Sequence, residues 1–220
     1  RQFVFISTVF PAALLQTPLY TFGLPSSLNF GAIGSIIGHE LLHAFDRVGK
    51  QYDSYGNYKD WWTNATSEIY QNKSDCFAQH YSRFIDPKSL LRIDGQLTKE
   101  ENIGDAVGIQ LAFEAFKSFM DTQEQPLLLE GLEYTAEQLF FISFAQVSVC
   151  KLEPVCEHFF IKMWCINETR ESKRNTIMYG PHSPEYFRVI GSVANFNAFA
   201  NAFNCKNGSA MYSESKCSLW

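Results

Sequence analysis

Two histidines and a glutamate in the string His39-Glu40-Leu41-Leu42-His43 are the residues of this sequence best suited to chemistry. On a helix, positions four residues apart lie on one face, so the imidazoles of His39 and His43 can bind the same cation. Neutral imidazole suits Zn²⁺, and Glu40 lies beside the metal, where it can take a proton from water. The motif predicts a zinc site. The alternative is that both histidines are ordinary core or surface residues.

A third protein ligand is needed, because two imidazoles do not complete a catalytic zinc site. Glu101 and Asp105 stand four residues apart on a second amphipathic segment. Glu101 is the candidate ligand, and Asp105 can accept a hydrogen bond from the distal nitrogen of a ligating histidine. Asp46 can orient the other histidine in the same way. Three alternatives stay open: Glu101 can belong to a Thr98 capping box, the adjacent Glu100 is a rival ligand, and Asp46 can be an ordinary polar residue at a helix C-terminus.

His182 and Arg188 are candidates for contacts with a substrate. A hydrogen-donating histidine near a metal can stabilise the oxyanion of a tetrahedral intermediate. An arginine can bind a substrate carbonyl or carboxylate. Spacing alone does not separate these roles from a surface histidine and an ion-paired surface arginine. We interpret His80 and His158 as structural or exposed.

Helices must position these residues, since most of the chain has helical patterns. An apolar helical period predicts a helix over residues 31–46, and the following glycines and aromatic residues predict a turn or short hairpin up to residue 60. Thr98 and Thr135 each begin a capping-box pattern, which predicts helices to about residues 120 and 149. Further helices are predicted over residues 63–84, from Ser183-Pro184 onwards and over residues 193–203. Residues 150–181 have no firm period.

Composition and charge exclude several classes of protein. The chain has 220 residues, of which 46% are hydrophobic and 19% charged, and this is a globular composition. Its net charge of -5 and the lack of a basic patch argue against a nucleic-acid partner. The apolar stretch over residues 3–15 is interrupted and too short to span a membrane, so it predicts a buried strand or connector. We expect no membrane span elsewhere in the chain.

Cysteines and glycosylation sequons indicate an oxidising compartment. The six cysteines are scattered along the chain without a C-x-x-C pair, which disfavours a cysteine zinc site and fits disulfides. Four N-x-S/T sequons agree with this interpretation, at Asn64, Asn72, Asn167 and Asn207. We therefore expect an extracellular or secreted protein, or the ectodomain of a membrane-anchored one.

Six motifs follow one another along nearly the whole chain: FPAALLQTPLY, IGHELLHAFD, KDWW, ENIGD, HSPEYFRVIG and the terminal KCSLW. In order and spacing they resemble the neprilysin and endothelin-converting-enzyme family of zinc metallopeptidases. The resemblance implies a mainly α-helical, gluzincin-type catalytic domain with a small β element near the N-terminus. The domain would occupy residues 1–220, with residues 148–163 as an insertion relative to the family.

The resemblance also implies the metal and the catalytic base. His39, His43 and Glu101 match the family's ligands for one Zn²⁺ ion per chain, and Glu40 matches its catalytic base. Asp46 matches the aspartate that closes the family's HExxHxFD motif.

Further matches concern the groups around the metal. Asp105 matches the aspartate of the E-x-x-x-D motif, which serves catalysis by orienting a zinc ligand. His182 matches the transition-state-stabilising histidine, and Arg188 matches the arginine that binds a substrate carbonyl. The family has an apolar pocket for the residue after the scissile bond. The positions that line it are matched by Leu14, Leu19, Ile36 and Trp164. A disulfide between Cys76 and Cys217 is implied as well.

Three departures from the family pattern matter for function. The family has a substrate-binding strand with an Asn-Ala-aromatic-Tyr pattern upstream of the FPA segment, and this chain begins too late to contain it. The family's N-terminal lid domain and membrane anchor lie outside the chain. Residues 148–163 intervene just before Trp164, where they add Cys150 and Cys156.

The sequence therefore predicts a zinc-dependent metalloendopeptidase that hydrolyses oligopeptides and prefers a bulky apolar residue after the scissile bond. One alternative is a truncated, catalytically impaired fragment that binds peptides without turnover. A second alternative is a helical structural domain without metal. The expected partners are oligopeptides and the missing lid domain of the full-length protein.

Overall fold

Helices form most of the structure, which is a computed structural model that describes residues 8–123, 131–148, 169–209 and 211–220. The mainly helical fold predicted from the sequence is confirmed. A π-helical turn, Phe30–Gly34, joins the first two helices, and a 3₁₀ turn, His43–Phe45, extends the second. The helices of the described residues are α1 (Ser26–Asn29), α2 (Ser35–Leu42), α3 (Asn64–Tyr81), α4 (Lys99–Met120), α5 (Ala136–Ser148), α6 (Arg170–Tyr179), α7 (Glu185–Ala194) and α8 (Asn197–Ala202).

Two predicted helix boundaries differ from the structure. The helical segment predicted to begin at residue 31 begins at Ser26. The helix predicted over residues 193–203 is two helices, because α7 ends at Ala194 and α8 begins at Asn197. Between them, the Asn195 side chain donates to the carbonyl of Gly191 and accepts from the amide of Cys217. Helix α6 was not predicted, since its sequence is polar and lacks a long apolar period.

The small β element expected near the N-terminus is not shown. No strand occurs in the part of the chain that the structure describes, and residues 1–7 lie outside it. Ala12–Leu14 form a 3₁₀ turn after Pro11, whose missing N–H cannot join a ladder. The turn predicted up to residue 60 is present, closed by an isolated antiparallel bridge between Tyr52 and Tyr58.

Aromatic side chains from α4, α5 and α8 form the main core, with valines from α7. Their rings meet edge-on or stacked, with centroids 5 to 6 Å apart, as aromatic packing favours. The members of this cluster include Phe113, Phe116, Phe140, Phe141, Phe144, Val189, Val193 and Phe199. No described helix is long and apolar enough to cross a membrane.

A disulfide ties the middle of α3 to the C-terminal segment. The Sγ atoms of Cys76 and Cys217 are 2.04 Å apart, which is the pairing that the resemblance implied. Cys205 is half-buried and has no disulfide partner among the described residues. Cys150, Cys156 and Cys165 lie outside the described residues.

Helices α2 and α4 make close backbone contact because each has a glycine where they cross. A Cβ atom on Gly38 would lie 2.3 Å from the carbonyl oxygen of Gly108. A Cβ atom on Gly108 would lie 2.5 Å from the backbone nitrogen of His39. The contact brings α2, with His39 and the following turn that carries His43, against the part of α4 that carries Glu101 and Asp105.

The Gly38→Ala variant is expected to lose roughly 1–3 kcal/mol of stability, because its methyl group cannot fit without separating α2 from α4. Gly34→Ala is the matched control, since a Cβ atom there meets its nearest neighbour, the Phe30 Cβ, at 3.6 Å. Urea unfolding of both variants and the parent measures the difference. Equal stability of the two variants would contradict the glycine contact.

Candidate metal centre and active site

Three donor atoms converge between α2 and α4. The Nε2 atoms of His39 and His43 are 3.1 Å apart. Oε2 of Glu101 is 3.1 Å from the first and 3.7 Å from the second. Ligand atoms about 2.1 Å from one tetrahedral ion lie roughly 3.4 Å from each other, so this spacing suits a single zinc ion.

Carboxylates hold both imidazoles with their Nε2 atoms facing this point. Nδ1 of His39 donates to Oδ1 of Asp105 at 2.8 Å, and Nδ1 of His43 donates to Oδ2 of Asp46 at 3.0 Å. The two Nε2 lone pairs then face each other and require a positive charge between them. Burial lowers the pKa of His39, but the carboxylates of Asp105 and Glu101 outweigh it and raise the pKa to about 9. The surroundings of the two imidazoles therefore favour a cation between their Nε2 atoms.

Glu101 faces the Nε2 atoms of both imidazoles, whereas Asp105 and Asp46 contact their Nδ1 atoms. Its Oε2 atom is buried and lacks an aligned hydrogen-bond partner among the described residues, although three imidazole nitrogens lie within 3.7 Å. Burial raises the pKa of Glu101, but the imidazoles of His182 and His39 outweigh it and hold the pKa well below its usual range. An ionised carboxylate oxygen that faces the Nε2 atoms of two imidazoles fits a zinc ion.

The contacts of Thr98 and Glu100 test the two alternatives to Glu101 as the metal ligand. Thr98 makes no side-chain cap on α4, and its hydroxyl instead donates to the carbonyl of Asp94. Glu100, the rival ligand, accepts from the backbone amide of Arg47 at 3.3 Å and lies outside the donor cluster. The geometry thus leaves Glu101 available to a metal.

Asp105 joins the centre to Arg188 on α7. The guanidinium donates from Nε to Oδ2 at 2.6 Å and from Nη2 to Oδ1 at 2.7 Å. Burial raises the pKa of Asp105, but Arg188 and then His39 outweigh it and lower the pKa to about 2. The carboxylate is therefore ionised and can only accept, which fixes the proton of His39 on Nδ1.

A cavity of about 240 Å³ opens onto the donor atoms. Glu40 is half-buried and lines it next to the two histidines. His182 also lines it, with its Nε2 atom 3.0 Å from Oε2 of Glu101. Arg188 completes the polar side. The structure thus brings the predicted base, the predicted oxyanion donor and the predicted carbonyl-binding arginine to one cavity.

The apolar side of the cavity only partly matches the expected pocket. Ile36 lines it, whereas Leu14 and Leu19 do not; Leu19 is buried in a cluster with Ile33. Trp164 lies outside the described residues. Three lining residues were missed at the sequence level, because no pattern in α2 or α5 tells which side chains face the cavity: Ser35, Phe144 and Val147.

His80 lies on α3 outside the donor cluster, which agrees with its structural interpretation. Its ring packs edge-on against Tyr81 and Phe84, and neither nitrogen has an aligned hydrogen-bond partner in the described part of the chain. Burial, together with the charges of Arg83 and Lys216, lowers the pKa of His80 to about 4. The folded protein therefore keeps this imidazole neutral.

Acidification is expected to destabilise the protein through His80. The unfolded chain has the ordinary pKa of 6.5 and binds more protons than the folded chain below that pH. From pH 7 to pH 5 the free energy of unfolding is expected to fall by about 2 kcal/mol. The fall levels off below the folded pKa of about 4. Urea unfolding at both pH values should show a smaller loss for His80→Phe than for the parent. Equal losses would contradict the assignment.

A mainly helical domain whose HExxH helix faces a glutamate helix across one cavity defines the gluzincin class of zinc metallopeptidase domains. The sequence profile of Peptidase family M13 matches residues 5–161 and 157–219. The chain belongs to this family, as the resemblance to neprilysin and endothelin-converting enzyme indicated.

Individual relatives agree with this membership. The chain is 40% identical to neprilysin-3 of Drosophila melanogaster over 214 residues and 39% identical to endothelin-converting enzyme 1 of Mus musculus over 215 residues. In each case the match covers 96% of this chain and 25% of the relative. The chain thus spans about a quarter of the length of these relatives.

Solved structures share the fold. The zinc metalloprotease ZMP1 of Mycobacterium tuberculosis, solved in complex with an inhibitor, superposes with a TM-score of 0.78 at 28% identity. The superposition covers 95% of this chain and 30% of that one. A Haemonchus galactose-containing glycoprotein complex gives the same TM-score and identity over 96% of this chain and 33% of the other.

Proposed function

We propose that this chain is the catalytic part of a zinc-dependent endopeptidase that hydrolyses peptide bonds of oligopeptides. The observation that carries the proposal is the convergence of donor atoms from His39, His43 and Glu101 within 4.8 Å of one another. The same cavity is lined by Glu40 and His182. We assign one zinc ion per chain to these ligands.

A bound zinc ion supplies a Lewis acid that polarises the scissile carbonyl and lowers the pKa of water. Glu40 accepts the proton of the attacking water and passes it to the leaving amine. His182 donates a hydrogen bond to the oxygen on which negative charge develops. Asp105 and Asp46 keep the Nδ1 atoms of the two histidines protonated, so that both Nε2 atoms stay available as ligands.

Substrate binding is assigned to the rest of the cavity. Arg188 lines it while Asp105 holds the guanidinium, and we assign it the carbonyl of the substrate residue downstream of the cut. Ile36, Phe144 and Val147 give the cavity an apolar side. This side supports a preference for a bulky apolar residue after the scissile bond, because such a residue is desolvated there.

The domain organisation and location form part of the proposal. The chain is one catalytic domain over residues 1–220. The two matched segments of the family profile overlap at residues 157–161, within the insertion assigned to residues 148–163. The remaining length of the relatives supports an additional lid domain as partner. The disulfide and the exposed sequons support an extracellular or secreted location. The exposed sequon asparagines are Asn64, Asn72 and Asn207.

A second candidate function is peptide binding without turnover. It is favoured by the length of the chain, which covers 25% of the relatives named above, because the rest of such a protein can contribute groups that turnover needs. In this case zinc and peptide would bind, and no bond would be cleaved.

A quenched fluorogenic peptide with leucine or phenylalanine after the intended cut site tests the proposal. Zinc-loaded protein is expected to cleave it, a chelator should abolish cleavage, and added zinc should restore it. Mass spectrometry of the products should place the apolar residue at the new amino terminus, and a matched peptide with aspartate at that position should be cleaved more slowly. Peptide binding with no products would favour the second candidate.

A further inference from the structure

A buried hydrogen bond links the residues that follow Glu101 and His182 in the sequence. Oγ of Ser183 donates to Oδ1 of Asn102 at 2.8 Å. Asn102 is fully buried, and Ser183 is 3% exposed. The bond therefore joins α4, one residue after the candidate zinc ligand, to the segment that carries the candidate oxyanion donor.

The bond belongs to a network in which each polar side chain has a hydrogen-bond partner. Nδ2 of Asn102 donates to Oγ1 of Thr98 at 2.8 Å, and Thr98 donates to the carbonyl of Asp94 at 2.9 Å. The Oγ atoms of Ser183 and Thr98 are 3.2 Å apart. A buried network that satisfies its members fixes one geometry, since any shift would leave a polar group without a partner.

His182 itself has few constraints. Its side chain is 42% exposed, and its contact with the centre is the 3.0 Å approach of Nε2 to Oε2 of Glu101. Pro181, which precedes it, is exposed, whereas Ser183, which follows it, is buried. The anchored serine thus determines where the half-exposed imidazole stands relative to the cavity.

We propose that Ser183 and Asn102 are positioning residues that hold His182 at the oxyanion position. This inference rests on the proposed peptidase function for its catalytic consequence. The hydrogen bond fixes the distance between the His182 segment and α4, and an apolar contact would not fix it because dispersion has no direction. A displacement of about 1 Å at a catalytic group can cost on the order of 100-fold in rate.

The Ser183→Ala variant tests the proposal. We expect kcat to fall roughly 10- to 100-fold while KM and zinc affinity stay within about twofold, because the donor set of zinc is untouched. Ser183→Thr, which keeps the hydroxyl, is expected to recover most of the rate. Ser213→Ala is the matched control, since Ser213 is also a buried serine and donates to the carbonyl of Ser215.

A double-mutant cycle with His182→Ala separates positioning from general stability. If Ser183 acts through His182, Ser183→Ala should change kcat by less than about twofold in the His182→Ala background. An equal loss in both backgrounds would overturn the proposal. A fall in zinc affinity that matches the fall in rate would overturn it too.

A structural measurement keeps this test independent of the proposed activity. In a crystal structure of zinc-free Ser183→Ala, the imidazole of His182 should leave Oε2 of Glu101 by more than about 1 Å. An unchanged position would refute the positioning role even if the parent enzyme is active. If the parent cleaves no peptide, the proposed function fails while this measurement still decides the role of Ser183.

Discussion

The Glu40→Gln variant is expected to lose about 1,000-fold in kcat while it keeps its zinc. Glutamine has nearly the same shape as glutamate but cannot accept the proton of the attacking water. Glu40 lines the cavity beside the donor atoms without being one of them, so the change removes the base and spares the ligands. Cleavage of the quenched peptide gives kcat, and metal analysis of the dialysed protein gives zinc content.

Glu114→Gln serves as the control for this variant. Glu114 lies on α4, is exposed, and does not line the cavity, so its variant should cleave at the parental rate. Parental turnover by Glu40→Gln would refute the proposed mechanism. Loss of zinc from Glu40→Gln would show instead that this residue supports the metal directly.

The Glu101→Ala variant is expected to bind zinc roughly 100- to 1,000-fold more weakly than the parent. Structural zinc sites with four protein ligands bind the ion with about 10–16 kcal/mol, which is about 2.5–4 kcal/mol per ligand, and the variant removes one such ligand. The remaining imidazoles of His39 and His43 still face one point, but the only carboxylate of the donor cluster in the described residues is gone. Competition with a chromophoric chelator measures the affinity.

Glu100→Ala is the matched control, because it removes an acidic residue of the same size from the adjacent position. The Glu100 carboxylate is held by the amide of Arg47 and points to the chain after α2 instead of the cavity. Its loss should change zinc affinity by less than about twofold at moderate salt, because the half-buried Glu100 carboxylate lies outside the donor cluster and salt screens charges beyond direct contact. Equal losses in both variants would mean that the donor set is misassigned.

The two capping-box patterns show where sequence reasoning succeeds and where it fails. Thr135 and Gln138 form the predicted box, with reciprocal bonds between backbone amides and side chains of 3.0 and 3.1 Å. Thr98 and Glu101 have the same pattern, but Glu101 turns towards the imidazoles and Thr98 bonds to Asp94 and Asn102. Local patterns decide local bonds only where no distant partner competes.

The candidate site also has features that sequence spacing predicted and features that it could not predict. Spacing within one helix was enough to predict that His39 and His43 share a face, because four residues make about one helical turn. Spacing could not reveal that Asp105 binds Arg188 in a bidentate pair, since these residues are 83 positions apart in the chain. It also gave no indication of the hydrogen bond between Ser183 and Asn102.

The sequence by itself determined the chemistry of the donors, the helical class of the fold and, through its motifs, the family. Donor chemistry and helical period are properties of residue type and spacing, so they need no other part of the molecule. Only the tertiary structure decided that Glu101 leaves the Thr98 capping box for the imidazoles, that Ser35, Phe144 and Val147 line the cavity, and how closely α2 approaches α4. Those outcomes depend on which distant groups compete for each side chain, and on the missing Cβ atoms of Gly38 and Gly108.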